Sequence, residues 1–330
     1  MKTRVALTII ALGVLLCIAV IVSITLGRFS IGVSEIGRLL RGLEPSTEQI
    51  GAIFFNVRLP RIIMACLVGC CLSVAGASYQ GVFQNPMAAP DILGASSGAA
   101  TGAALAIWLE LSSQMVMIFA FVFSFGTIAL VMLVSHAARG SRLIGIVLAG
   151  IMIRSIADAV TSFIKLVADP NNVLPEITFW MMGSLAKTTP QAVSLALIPM
   201  ALGIVPLLLL RWRINVLTLS DDEAKSVGVN VRAVRFAVII CSTLITAASV
   251  SVSGLIGWVG LVIPHLTRRL VGNDYRYLTP ACMLGGGLFL LLVDDVSRNL
   301  FMTEIPIGIL TSVIGAPFFI WLITRKSEAL

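Results

Sequence analysis

The hydrophobic and polar positions of this chain fall into blocks rather than into an alternating pattern. Residues 62–90, 191–210 and 305–323 contain no Asp, Glu, Lys or Arg. Crossing a hydrocarbon core about 30 Å thick takes roughly 20 apolar residues in a helix. Within that core only helices and closed barrels satisfy their own backbone groups. The apolar runs are continuous and lack the period-two alternation of barrel strands, so helices are predicted. About ten spans result: 5–26, 62–80, 92–109, 115–134, 143–166, 191–210, 236–253, 255–270, 278–293 and 305–323. The seventh and eighth are nearly fused, with Gly254, Gly257 and Gly260 marking the break between them. The expected fold class is therefore all-α, a polytopic integral membrane protein.

Between the spans, residues 28–61 form a long segment in which Ile36, Leu39, Leu40 and Leu43 recur at helical spacing. A short interfacial helix capped by Ser34 is predicted there. Residues 211–235 read as a short helix, a turn and a second short helix. Ser220 and Glu223 have capping-box spacing, and Val227-Gly228-Val229 supplies a stop with Asn230 beyond it.

Composition agrees with the lipid reading. The 330 residues are 58% hydrophobic and 12% charged, against about 25% charged in soluble domains. The net charge of +7 sits in short clusters between apolar runs, a distribution that encodes membrane orientation and argues against nucleic acid as a partner. Placing the N-terminus inside puts most of the basic residues in cytoplasmic segments: Lys2 and Arg4; Arg139 and Arg142; Arg211, Arg213, Lys225, Arg232 and Arg235; Arg268, Arg269 and Arg276; Arg325 and Lys326. Both termini are then cytoplasmic. The apolar run after Arg4 is longer than a secretory signal core and is read as a retained span. Six cysteines and two isolated histidines offer no metal-ligand spacing, so no metal site is expected, and no P-loop is present.

Three places carry charge or irregularity where a membrane protein should have neither. On the fifth span Arg154, Asp158, Thr161 and Lys165 fall on one helical stripe. Charge at that depth points to a water-filled translocation pathway, or to an Arg154–Asp158 pair that satisfies itself while Lys165 snorkels. Arg58, Arg61 and Arg298 flank spans on the outer side, against the orientation rule. They read as interfacial anchors or as a site for an acidic partner. The loop 211–235 is either a solvated connector or a docking surface.

These residues, taken with further motifs, resemble the permeases of iron-siderophore, haem and cobalamin ABC importers, the FecCD family. The resemblance rests on Arg58-Leu-Pro-Arg61; Gln80 with Asn85-Pro86-Met87-Ala88-Ala89-Pro90 and Leu93-Gly94; Trp180-Met-Met-Gly183-Ser184-Leu185; Asp222-Glu223-Ala224 and Val227-Gly228-Val229. It continues through Gly257-Trp-Val-Gly260-Leu-Val-Ile-Pro264-His265, Arg268, Gly272-Asn-Asp274-Tyr-Arg276, Asp294 with Arg298, Glu304-Ile-Pro306-Ile-Gly308 and Gly315-Ala316-Pro317-Phe318. It covers residues 1–326.

The resemblance implies a type II importer permease fold and one transmembrane permease domain over 1–330, with a cytoplasmic coupling segment at 218–230. It implies no enzyme activity and no cofactor on this chain, with ATP and Mg on partner subunits. The implied partners are a second copy, two cytoplasmic ATPase subunits, an extracytoplasmic binding protein and the lipid of a bacterial inner membrane. Ser220, Asp222, Glu223, Ala224, Val227 and Gly228 would then meet the ATPase, and Arg58, Arg61 and Arg298 would meet glutamates of the binding protein. The expected cargo is a ferric siderophore or similar chelate, with haem or cobalamin as alternatives. Arg154 and Lys165 hint at an anionic ligand. A rival from another class, an ion-coupled secondary transporter, would place paired acids at the midplane. An intramembrane enzyme would need a constellation that two isolated histidines do not supply.

Overall fold

The computed structural model describes residues 2–27, 29, 31–137, 142–219 and 221–324. Among them there is no strand. The helices are α1 (Lys2–Thr25), α2 (Val33–Leu40), α3 (Glu48–Ile53), α4 (Leu59–Phe83), α5 (Ala95–Trp108), α6 (Ser113–Ala137), α7 (Arg142–Val167), α8 (Val173–Met181), α9 (Pro190–Leu217), α10 (Asp221–Ser226), α11 (Val231–Ser253), α12 (Val259–Val271), α13 (Tyr275–Asn299) and α14 (Ile307–Thr324). Each predicted span finds one of these helices. Seven are long and apolar enough to cross a bilayer by themselves, while α5, α12 and α14 are shorter.

The central element is α4, which packs against α9, α11, α12 and α13. It can be central because its buried face is small: Ala65, Gly69, Ala75, Gly76 and Ala77 lie inside. Small residues let helices approach where no hydrophobic driving force pulls them together. At the closest points a Cβ on Gly69 would stand 2.2 Å from the Gly286 carbonyl oxygen, and one on Gly76 would stand 1.8 Å from that of Gly260. A second group, α5 with α6 and α7, joins the first through α11. The large apolar side chains of α1, α7 and α9, such as Ile10, Phe163 and Leu209, point outward, as lipid-facing residues do.

A backbone irregularity flanks α4 on each side. Pro60 has no N–H to give to the preceding turn, and a π-helical turn at Phe54–Arg58 leads into α4. Between α4 and α5 the chain leaves helix, makes one 3₁₀ turn at Pro90–Leu93 and lodges against α7: a Cβ on Gly150 would stand 2.6 Å from the Ile92 carbonyl oxygen. Because α5 has 14 residues, roughly 21 Å at 1.5 Å each, this connection has to lie within the thickness of the bundle rather than outside it.

Two expectations are corrected. The N-cap of α2 is Gly32, with no side-chain bond, so Ser34 is not the cap. The first short helix of 211–235 is found as α10, after an α9 that runs on to Leu217. The second is the start of α11, where the Asn230 side chain accepts from the Ala233 amide. Among the described residues, α10 alone lies between α9 and α11.

Candidate functional site

At the end of the bundle that the charge pattern places outside, the three arginines come together, and this chain supplies carboxylates for two of them. The Arg61 guanidinium donates from Nε to both oxygens of Asp294 (3.0 and 3.1 Å) and from Nη1 to both oxygens of Glu304 (3.1 and 2.9 Å). Arg298 pairs with Asp295 and, at 3.8 Å, with Asp294. Ser23 closes this corner: its hydroxyl donates to Asp295 at 2.7 Å while its carbonyl accepts from Arg298 at 3.0 Å. Arg58 instead donates to backbone carbonyls, of Ile24 at 2.7 Å and of Phe29. All three arginines are buried, and Asp294 is fully so. Arg58, Arg61, Arg298 and Glu304 line a pocket of about 180 Å³, in which Glu304, with a side chain 31% exposed, is the most open of the paired carboxylates. The sequence pattern did not identify these acids as partners of the arginines. The i, i+4 spacing of Asp294 and Arg298 was the available signal.

On α7 the predicted stripe divides. Arg154 and Asp158 remain half exposed and pair with each other at 3.5 Å. Arg154 also pairs at 3.1 Å with Asp91, on the 3₁₀ turn before α5. The Asp91 carboxylate additionally accepts from the Ser96 amide at 3.0 Å, capping α5. Thr161 turns away: its hydroxyl meets that of Thr101 on α5 at 2.9 Å, in the interior. Lys165 lies further along α7, half-buried. One cation therefore faces two carboxylates at Arg154, and an anionic ligand finds that guanidinium already engaged.

The segment around α10 is small and anchored. Ala224 is buried against the bundle while Glu223 and Val227 face outward. Gly228 takes a left-handed φ of +78°, and the Val229 amide reaches back to the Ala224 carbonyl, closing α10 as a Schellman turn. Asp222 lies within α10; Ser220 lies outside the described residues.

Nearby, Asn215 on α9 donates to Asp274 at 2.7 Å and accepts from the Tyr275 amide at 2.8 Å. The Tyr275 hydroxyl donates to the Ala77 carbonyl at 2.9 Å, and Arg268 reaches both Gln80 and Tyr275. The Asp274 carboxylate is held down at about 2, first by its hydrogen bond from the Arg276 side chain, against a smaller opposing effect of burial. A depressed carboxylate stabilises the fold above its unfolded pKa and loses that contribution only as pH falls through the folded value. This knot of contacts is thus insensitive to pH near neutrality. Among the described residues, no group of three or more His, Cys, Asp or Glu is placed to hold a metal.

The sequence pattern of the FecCD transport family matches residues 15–325. The molybdate import system permease MolB of Haemophilus influenzae is 40% identical over 314 residues, covering 93% of this chain and 92% of that one. An iron chelatin transport system permease of Helicobacter pylori is 39% identical over 280 residues, 84% of each chain. A solved inward-facing metal-chelate type ABC transporter aligns with a TM-score of 0.87 at 38% identity, covering 96% of this chain and 98% of that one.

Proposed function

The chain belongs to the FecCD transport family, the multi-pass permease subunits of ABC importers, and from that premise we propose that it works as a homodimer carrying a ferric chelate inward between its two copies. It is a transport subunit, and ATP hydrolysis belongs to a separate ATPase subunit. The observation that supports a shared pathway is the pair Arg154 and Asp158, each about half exposed on an outward face of α7. Charged groups at membrane depth face a bundle interior or water, not lipid. A second copy of α7 across a water-filled seam meets that requirement, with Lys165 on the same route and Thr161 backing it from the α5 side.

Two ATPase subunits, carrying ATP and Mg, would seat on Glu223, Val227 and their neighbours in α10, with both termini on that cytoplasmic side. An extracytoplasmic binding protein would meet the outer pocket, where a partner's glutamate would compete with Glu304 for Arg61. Each partner then acts by favouring one of two arrangements of the spans. Haem and cobalamin are the alternative chelates. A molybdate-type oxyanion is a second reading, favoured by the 40% identity to MolB over nearly the whole chain.

Co-purification from native membranes, reconstitution in vesicles and elemental analysis of the cargo test this. ATP-dependent accumulation of iron supplied as a ferric siderophore is expected. Accumulation of molybdenum without iron would transfer the proposal to the oxyanion, and uptake of either without ATPase subunits would overturn it. In the same vesicles, Arg154→Gln leaves Asp91 and Asp158 without their shared cation and is expected to lower uptake about tenfold in an assembled complex. Normal uptake would remove this face of α7 from the pathway.

A further inference from the structure

Gln84 ends α4 in the left-handed region, at φ +49° and ψ +35°. Glycine is the residue that adopts this conformation without cost, and a side chain held there needs a reason. Its carboxamide supplies one: Nε2 donates to the carbonyls of Leu217 and Leu219, both at 2.9 Å. Those carbonyls belong to the last residues before α10, the segment proposed to meet the ATPase.

From Gln84 the chain runs without helix to Pro90. The Asn85 side chain accepts from the Met87 amide at 2.9 Å and the Ala88 amide reaches back to the Asn85 carbonyl, making a tight turn. Ala88 is then fully buried. Pro90 lies so close to the first turn of α12 that a Cβ on Gly260 would stand 2.6 Å from its ring. One residue further, Asp91 takes Arg154 of α7. Eight residues therefore connect the base of α10 to the charged face of α7, pinned by a side chain at each end and wedged in between.

We propose that residues 84–91 are a strap that carries displacement of the α10 docking segment to Arg154, and that Gln84 is the positioning residue at its cytoplasmic end. The inference rests on the ABC-importer reading, and it gives the Asn85–Pro90 motif a mechanical role. A rigid connector with fixed ends moves α7 when α10 moves. A slack one lets ATP be hydrolysed without shifting the pathway.

The test uses the full complex with its ATPase subunits in vesicles. Gln84→Gly removes the carboxamide while suiting the left-handed backbone, so folding is not the obstacle. Uptake per ATP hydrolysed is expected to fall about fivefold, the size of effect that two modest hydrogen bonds support. ATPase rate and co-purification should stay at wild-type levels. Gln84→Arg, which retains donors for both carbonyls, should restore coupling. Asp91→Asn should uncouple to a similar degree, and the double variant should be no worse than either single one, because both cut the same connection.

Wild-type uptake per ATP in Gln84→Gly would overturn the proposal. So would losses that multiply in the double variant, or release of the ATPase subunits, which would make Gln84 a brace for α10 alone. ATP-independent uptake by the wild-type complex would overturn the importer reading on which it rests, and this inference with it.

Discussion

Arg61→Met should be the most destabilising single change in the arginine cluster that joins α4 to α13, costing about 3–5 kcal/mol. Asp294 is fully buried, and Arg61 contacts it through both Nε and Nη2, at 2.9–3.1 Å. Without Arg61 its nearest remaining cation among the described residues is Arg298 at 3.8 Å, a side chain already committed to Asp295. Asp294 has no exposed surface of its own for solvent to take over, so the carboxylate has to be neutralised or the helices have to part. Removing one partner of a buried pair is far costlier than removing both. Arg61→Met combined with Asp294→Leu should therefore recover most of the loss. Glu304→Gln should cost much less, because its side chain is 31% exposed and solvent already shares the load.

Thermal unfolding of the detergent-solubilised variants checks the order. A loss under about 0.5 kcal/mol for Arg61→Met would show that the pair contributes nothing to the fold. The consequence for function is practical. Charge reversal at Arg61 would confound docking with folding, so capture of a binding protein is better probed at Glu304.

The contrast between what the pattern foretold and what it did not has a physical origin. Ten spans were legible because a bilayer demands long apolar runs, and such runs are a local property. The ends were less so: α9 continues through Arg211 and Arg213, and α11 starts before Arg232 and Arg235, because a helix does not stop where its apolar part does. The start of α12 lies at Val259 rather than at residue 255, since Trp258 takes a positive φ and Gly254 unwinds the chain. The Arg154–Asp158 pair could be read from i, i+4 spacing. Its third member, Asp91, and the Arg61–Asp294 pair, 233 residues apart in sequence, depend on which helices lie side by side, and no periodicity carries that. For the same reason Thr161 shared the stripe on paper and yet faces Thr101.

Gly76→Ala should leave little folded protein, although a methyl group is the smallest possible addition. In the sequence Gly254, Gly257 and Gly260 mark a break between two spans, and nothing there points to their partners on α4. The structure opposes Gly76 to Gly260 and Gly69 to Gly286. A Cβ on Gly76 would lie 1.8 Å from the Gly260 carbonyl oxygen and 2.5 Å from its carbon, with backbone rather than a pliable side chain in the way. Overpacking of this kind costs about 1–3 kcal/mol where neighbours can shift. Here relief requires moving α12 away from the central helix. In a bilayer no hydrophobic force restores such a contact, since lipid tails satisfy the separated faces equally well.

Gly126→Ala supplies the control. Nothing lies within 4 Å of a Cβ there, and α6 is otherwise regular, so helix propensity alone predicts a gain of up to about 1 kcal/mol. Size-exclusion profiles and thermal midpoints in detergent should separate the two variants clearly. A Gly76→Ala protein that is monodisperse and as stable as wild type, but altered in uptake, would show the seam between α4 and α12 to be a sliding surface of the transport cycle rather than a fixed joint.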